Sequence, residues 1–322
     1  MAARVGKQSL LFAFTKRAYS SKADKNVAFL GLGNMGGYMA ANLVKKGFNV
    51  RGYDPSKETL AAAEKNGIKG AGSIAAAVEG VDVVVSILPS NKIVLEAYTG
   101  KDGVIKHAQK GALLIDSSTV DPNVPKEIFP VANENNVSFI DAPVSGGVMG
   151  AQNATLAFMA GGRKEDFDRS LPLLQAMGAK QFHCGDIGSG QVAKLSNNML
   201  MGITGMATAE CMNMGIKMGL DPKVLLDVLN NSSARSWSTE VYCPVPGLVP
   251  TAPSSRNYDN GFKNELMVKD LELASGMALG IRSPIPLGAT ATQIYRLVQS
   301  RGYGHKDFSF IFQLLQDESE KK

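Results

Sequence analysis

Residues 26–47 read NVAFLGLGNMGGYMAANLVKKG. The first six are a short apolar run ending in glycine, the composition of a buried strand. Residues 35–46 then place Met35, Met39 and Leu43 at helical spacing, with Lys45 and Lys46 near the end and Gly47 as a stop. Between strand and helix lies Gly31-Leu32-Gly33-Asn34-Met35-Gly36, a G-x-G-x-x-G turn in the setting that makes this motif specific. Gly31 permits the tight turn, Gly33 lets backbone approach a pyrophosphate, and Gly36 lets helix pack on strand. The helix N-terminus offers free N–H groups to phosphate. All six residues are candidates for holding a dinucleotide. A glycine-rich turn without a ligand is the plainer alternative, and its context argues against it.

Outward from this unit, strand and helix alternate. Strands are expected at 48–54, 81–89, 111–119 and 136–144, with a helix over 57–67 and helix-like sequence after each later strand. Residues 154–162, a helix around 164–177 and 180–185 extend the pattern. This predicts an α/β domain with a Rossmann-type, mostly parallel sheet covered on both faces, spanning 24–187. From residue 188 the β-branched runs vanish. Met-, Ala- and Leu-rich periodic stretches predict helices over 190–218, 221–230, 264–280, 286–300 and 307–316, an all-α C-terminal domain to residue 322. Residues 244–258, rich in Pro and Ser, read as a long loop.

Composition narrows the function classes. The chain has 322 residues, 44% hydrophobic and 20% charged, which suits a two-domain globular enzyme. No apolar run is long enough to span a membrane. Residues 1–23 carry Arg4, Lys7, Lys16, Arg17 and Lys22 but no Asp or Glu, the composition of a mitochondrial transit peptide, with RAYSS resembling a matrix-protease site that cuts after Tyr19. A plain basic tail is the alternative. Removing residues 1–19 takes away four cations and lowers the net charge from +5 to +1, which removes the main support for nucleic-acid binding. Cys184, Cys211 and Cys243 are dispersed, as are His107, His183 and His305, so free thiols and no metal site are expected.

Asp54 closes the second strand, 23 residues after Gly31. An acid there accepts hydrogen bonds from ribose hydroxyls and repels the extra phosphate of NADP, which favours NAD. Leu88-Pro89 and Ser117–Thr119 end two further strands at the edge where ligands collect. Thr119 suits a ribose contact or, equally, a helix cap. Ser145-Gly146-Gly147 ends the strand in DAPVSGG. Its open N–H groups and the Ser145 hydroxyl suit a carboxylate, although an ordinary loop reads the same way.

The run after residue 190 holds one charge before Glu210, Lys194, with Asn198 one turn on. A lone lysine on a helix is usually solvated, but these neighbours are apolar. A buried ammonium needs partners or a task, and desolvation moves its pKa toward neutrality, where it can exchange a proton with a hydroxyl. Asn198, on the same face, can orient lysine or substrate.

These segments (VAFLGLGNMGGYMAANLVKKGFNV, DAPVSGGVMGAQNATLAFMAGG, GSGQVAKLSNNM and FKNELMVKDLELA), with RSWSTEVYCPVPG at 235–247, resemble the β-hydroxyacid dehydrogenase family over nearly everything after residue 26. The resemblance implies NAD-dependent oxidation of 3-hydroxyisobutyrate to methylmalonate semialdehyde. It makes Lys194 the catalytic lysine with Asn198 beside it, and assigns the substrate carboxylate to Ser145, Gly146 and Gly147. Thr119 would contact the cofactor, and Lys269 would lie near nicotinamide and substrate with Asp270 adjacent. Ile93 stands where relatives often carry a polar residue, so no cofactor contact is assigned there. Related reductases of tartronate semialdehyde, glyoxylate or succinic semialdehyde need the same residues. A non-catalytic NAD-binding protein of this fold could dispense with Lys194. The expected partners are a small hydroxy acid and further copies of the chain, as a dimer or tetramer, given the Gly, Ala and Met content of the long helix.

Overall fold

The computed structural model describes residues 24–320; the leader assigned to residues 1–23 lies outside them. Nine strands form one sheet: β1 (Asn26–Leu30), β2 (Asn49–Tyr53), β3 (Lys69–Gly70), β4 (Val83–Ser86), β5 (Leu113–Asp116), β6 (Ser138–Asp141), β7 (Val144–Ser145), β8 (Leu156–Gly161) and β9 (Gly178–Gly185). From β3 through β2, β1, β4 and β5 to β6 every pairing is parallel. β8 then runs antiparallel to β6 and β7, and β9 is parallel to β8. The partners Asp141↔Gly161, Val144↔Phe158 and Ser145↔Ala157 keep one register, and Met159 N donates to Pro143 O. β7 is therefore the continuation of β6 past Pro143, and β8 lies along both.

Alternate strand residues feed two cores. Val27, Phe29, Val83, Val85, Leu113 and Ile115 lie on one face. There α1 (Gly36–Lys45), α7 (Gly147–Gln152) and α8 (Lys164–Met177) cover them. Ala28, Leu30, Val84, Leu114 and Phe139 fill the other. That side carries α3 (Ile74–Val78), α4 (Asn91–Thr99), α5 (Val104–His107) and α6 (Asn123–Glu134), while α2 (Lys57–Glu64) packs beside β2 and β3. Both faces are apolar because parallel sheets are buried on both sides.

A third core belongs to the helices after β9: α9 (Ser189–Lys217), α10 (Pro222–Asn230), α11 (Trp237–Glu240), α12 (Asn264–Gly280), α13 (Pro286–Val298) and α14 (Ile311–Glu320). α9 is 29 residues long, about 43 Å at 1.5 Å per residue. Its small residues admit close neighbours: a Cβ on Gly202 would sit 3.1 Å from Met267 Sδ, and one on Gly205 would come within 2.7 Å of the Phe308 ring. α13 passes into a π turn at Gln299–Tyr303, and a short 3₁₀ turn, Phe308–Phe310, precedes α14. No helix among the described residues is long and apolar enough to cross a membrane.

Candidate active site

The C-terminal ends of β1, β2, β4 and β5 form one rim, and the candidate cofactor residues Gly31 to Gly36, Asp54, Leu88, Pro89 and Thr119 follow these ends. Gly31 has φ +86°, and a Cβ there would strike the Ile87 carbonyl oxygen, so the turn and its contact both require glycine. A Cβ on Gly36 would run into Gly31 O and lie 2.9 Å from Ile87 Cγ2, which is the close helix–strand packing expected of it. Gly33 is different: nothing lies within 4 Å of the place its Cβ would occupy. Within the protein itself nothing there demands glycine. The open space above it, beside the N-terminus of α1, fits a pyrophosphate, so the turn suits a dinucleotide.

Asp54 sits at the end of β2, and its carboxylate also secures the turn. Oδ2 accepts from Leu32 N at 2.8 Å and Oδ1 from Ser56 N at 2.9 Å. Each oxygen keeps lone pairs for ribose hydroxyls. Leu88 N donates to Ser118 Oγ at 2.8 Å, which joins the exits of β4 and β5. Beneath them Ser86 and Ser118 both donate to Asp116 Oδ1, at 2.7 and 2.6 Å, and burial raises the pKa of this carboxyl. Thr119 is not a helix cap. α6 starts at Asn123, whose N–H is taken by Asp121 Oδ1 at 2.8 Å.

Lys194 is 7% exposed on the second turn of α9, and its ammonium makes no hydrogen bond or ion pair among the described residues. Burial lowers its pKa from 10.5 to about 8; the Asp270 carboxylate opposes that shift and the Lys269 ammonium adds to it. Asn198, 1% exposed, donates from Nδ2 to Asp270 Oδ2 at 2.5 Å. Lys269 Nζ lies 3.2 Å from Asp270 Oδ1 and donates to Thr119 O at 2.8 Å. α9, α12 and the loop after β5 thus converge on one polar cluster holding Lys194, Asn198, Lys269, Asp270 and Thr119. The turn at Ser145 stands apart: no hydrogen bond joins it to that cluster among the described residues. Gly146 (φ +132°) and Gly147 (φ +62°) form its backbone, and both are exposed.

Two residues that sequence reasoning passed over hold the first turn of α9. Asp141, at the end of β6, accepts from Gly188 N at 2.6 Å and Gln191 N at 2.9 Å, and burial raises its pKa to about 7. Gln191, fully buried, bonds backbone on both sides of Thr119. The signal that exposed Lys194, a polar residue in an apolar helix, was present at Gln191 as well.

Two family models cover the chain: the NAD binding domain of 6-phosphogluconate dehydrogenase over residues 26–185, and the NAD-binding domain of NADP-dependent 3-hydroxyisobutyrate dehydrogenase over 188–315. The chain is 46% identical over 308 residues to the mitochondrial 3-hydroxyisobutyrate dehydrogenase of Rattus norvegicus, covering 96% of this chain and 91% of that one. An NAD-dependent L-serine dehydrogenase of Pseudomonas aeruginosa is 41% identical, covering 90% of this chain and 97% of the relative. A solved structure of Mycobacterium tuberculosis 3-hydroxyisobutyrate dehydrogenase with L-serine superposes with a TM-score of 0.86 at 40% identity, covering 90% of this chain and 99% of that one. With its dinucleotide turn, Rossmann-type sheet, helical C-terminal domain and these likenesses, the chain belongs to the 3-hydroxyisobutyrate dehydrogenase family of NAD-dependent oxidoreductases.

Proposed function

We propose that this chain oxidises 3-hydroxyisobutyrate to methylmalonate semialdehyde, with Lys194 as the general base. The observation that carries this is an enclosed amine whose pKa is lowered to about 8, set among Asn198, Lys269 and Asp270 beside the loop of Thr119. Bound NAD supplies the acceptor for the hydride that leaves the alcohol carbon. Gly31, Leu32, Gly33, Asn34, Met35 and Gly36 hold its pyrophosphate, Asp54 its adenine ribose, and Leu88, Pro89, Thr119 and Lys269 its nicotinamide half. Ser145, Gly146 and Gly147, with Lys269, bind the substrate carboxylate. Neutral Lys194 takes the hydroxyl proton, and Asn198, fixed by Asp270, orients the alcohol oxygen. Residues 24–187 act as the cofactor domain and 188–322 as the substrate and oligomerisation domain.

Initial rates of NADH formation from a panel of small hydroxy acids test this. 3-Hydroxyisobutyrate should give the highest kcat/KM. A relative named as an L-serine dehydrogenase and a similar structure holding L-serine favour a second reading, in which L-serine is the better substrate. A panel led by L-serine, or by glyoxylate or a semialdehyde in the reverse direction, would replace the first with that alternative. No turnover of any of them would leave a non-catalytic NAD-binding protein.

The acid-free leader and the mitochondrial relative support delivery to the mitochondrial matrix, tested by fusing residues 1–23 to a fluorescent reporter. Met214, Met218, Leu220, Val224 and Val228 leave large apolar side chains exposed on α9, the turn after it and α10, which supports a dimer or tetramer, tested by analytical ultracentrifugation.

A further inference from the structure

Gln191 lies one turn before Lys194 on α9, with none of its surface exposed. Its amide is satisfied at both ends by the loop that leaves β5. Oε1 accepts from Val120 N at 3.0 Å, and Nε2 donates to Ser118 O at 2.8 Å. The two bonds straddle Thr119, whose own carbonyl takes the Lys269 ammonium. Gln191's backbone is also held, because its N–H donates to Asp141 Oδ2 at 2.9 Å. The close fit around this turn leaves little room to shift: a Cβ on Gly161 would lie 2.6 Å from Asp141 Oδ1 and 2.8 Å from Gly190 N.

Residues three apart on a helix share a face and move as one body. Whatever fixes Gln191 to residues 118–120 therefore fixes Lys194 to them as well. We infer that Gln191 is a positioning residue that locks the loop of Thr119 to the helix of Lys194. Its side chain is the direct tie between the cofactor's seat and the helix of the proton acceptor, beside the longer link through Asn198, Asp270 and Lys269. This rests on the role proposed for Lys194. It adds that the two halves of the reaction are held in register by a neutral amide that touches neither reactant. An amide suits the task because it both donates and accepts, and because it adds no charge among Asp116, Asp121, Lys126, Asp141, Asp186, Lys194, Lys269 and Asp270, the ionisable groups on the elements around it.

The test uses Gln191→Met and Gln191→Glu in the full chain. In Gln191→Met, hydrogen exchange at the Val120 amide of the NAD-free protein should accelerate at least about tenfold, because its acceptor is gone. NADH affinity by fluorescence titration should weaken about three- to tenfold, and kcat at saturation should fall about ten- to a hundredfold, the scale of a misplaced reacting group. Gln191→Glu keeps an acceptor for Val120 N but faces Ser118 O without a proton. Its kcat relative to wild type should recover as pH falls from about 9 to about 6, where a protonated carboxyl donates again. Gln191→Met should show no such recovery. Unchanged Val120 exchange and kcat in folded Gln191→Met would overturn the inference. If that variant does not fold, a flat pH ratio for Gln191→Glu overturns it instead. Full turnover in Lys194→Ala would refute the catalytic role while leaving the exchange result standing, so the two failures are separable.

Discussion

An ammonium enclosed by protein releases its proton more readily than one in water, and Lys194 is enclosed. A base must be neutral to accept a proton, so its working form exists above a pKa of about 8. The rate of alcohol oxidation should therefore climb with pH and level off above about 8, read from a kcat–pH profile. Lys194→Ala should lose about 10²–10⁴-fold in kcat and the rising limb with it, while NADH affinity by titration stays within about twofold of wild type. Asp54 shows what sequence could and could not tell. Its place at the end of β2 is what makes it a candidate ribose acceptor. Its bond to Leu32 N joins residues 22 apart, and no local pattern displays that. Asp54→Arg should thus raise the ratio of NADP to NAD kcat/KM, as the lost repulsion predicts, yet lower both values because the turn loses its tether. An unchanged cofactor ratio would remove Asp54 from the ribose site.

At the scale of elements, the glycine-rich turn divides into positions that the fold requires and one, Gly33, that the fold leaves open for the proposed dinucleotide. Gly36→Ala forces a methyl group onto Gly31 O and should cost more than about 2 kcal/mol in denaturant melts. Gly33→Ala meets open space, so the apo protein should melt at the wild-type midpoint or slightly above it. The same substitution should weaken NADH binding at least about tenfold, by putting a methyl group in the space proposed for the pyrophosphate. Long, strongly periodic elements were legible in the chain: α12 spans Asn264–Gly280 and α9 Ser189–Lys217, within a residue of their expected ends. Elements without a period were not. β3 has two residues, and α11 has four, held by reciprocal bonds between Ser236 and Thr239 rather than by an apolar stripe. The reversal of β8 was hidden too, since strand direction is decided by the short return after Gln152 and leaves no mark on composition.

For the whole molecule, the sharp change of character near residue 188 was legible because a sheet buried on both faces and a helical bundle need different side chains. The joint between them was harder to see. Asp141, Gln191, Lys269 and Asp270 come from β6, α9 and α12, and only the folded chain shows that they meet. That joint encloses an acid and an amine around the start of one helix, and their proton affinities depart from those of the free side chains in opposite senses. As acidity increases from about pH 7 toward 3.8, the native protein holds a proton on Asp141 that the denatured chain has released, so folding gains. As alkalinity increases from about pH 8 toward 10.5, the native protein has released the Lys194 proton that the denatured chain retains, and folding gains again. Between these limits both groups are ionised inside the protein, and their joint contribution to resistance against heat passes through a trough. Lys194→Met should therefore melt above wild type near pH 7, with an advantage that narrows steadily toward pH 10.5 in calorimetry; a constant advantage would contradict it. These two groups thus contribute least to stability near neutrality, where the amine begins to lose its proton.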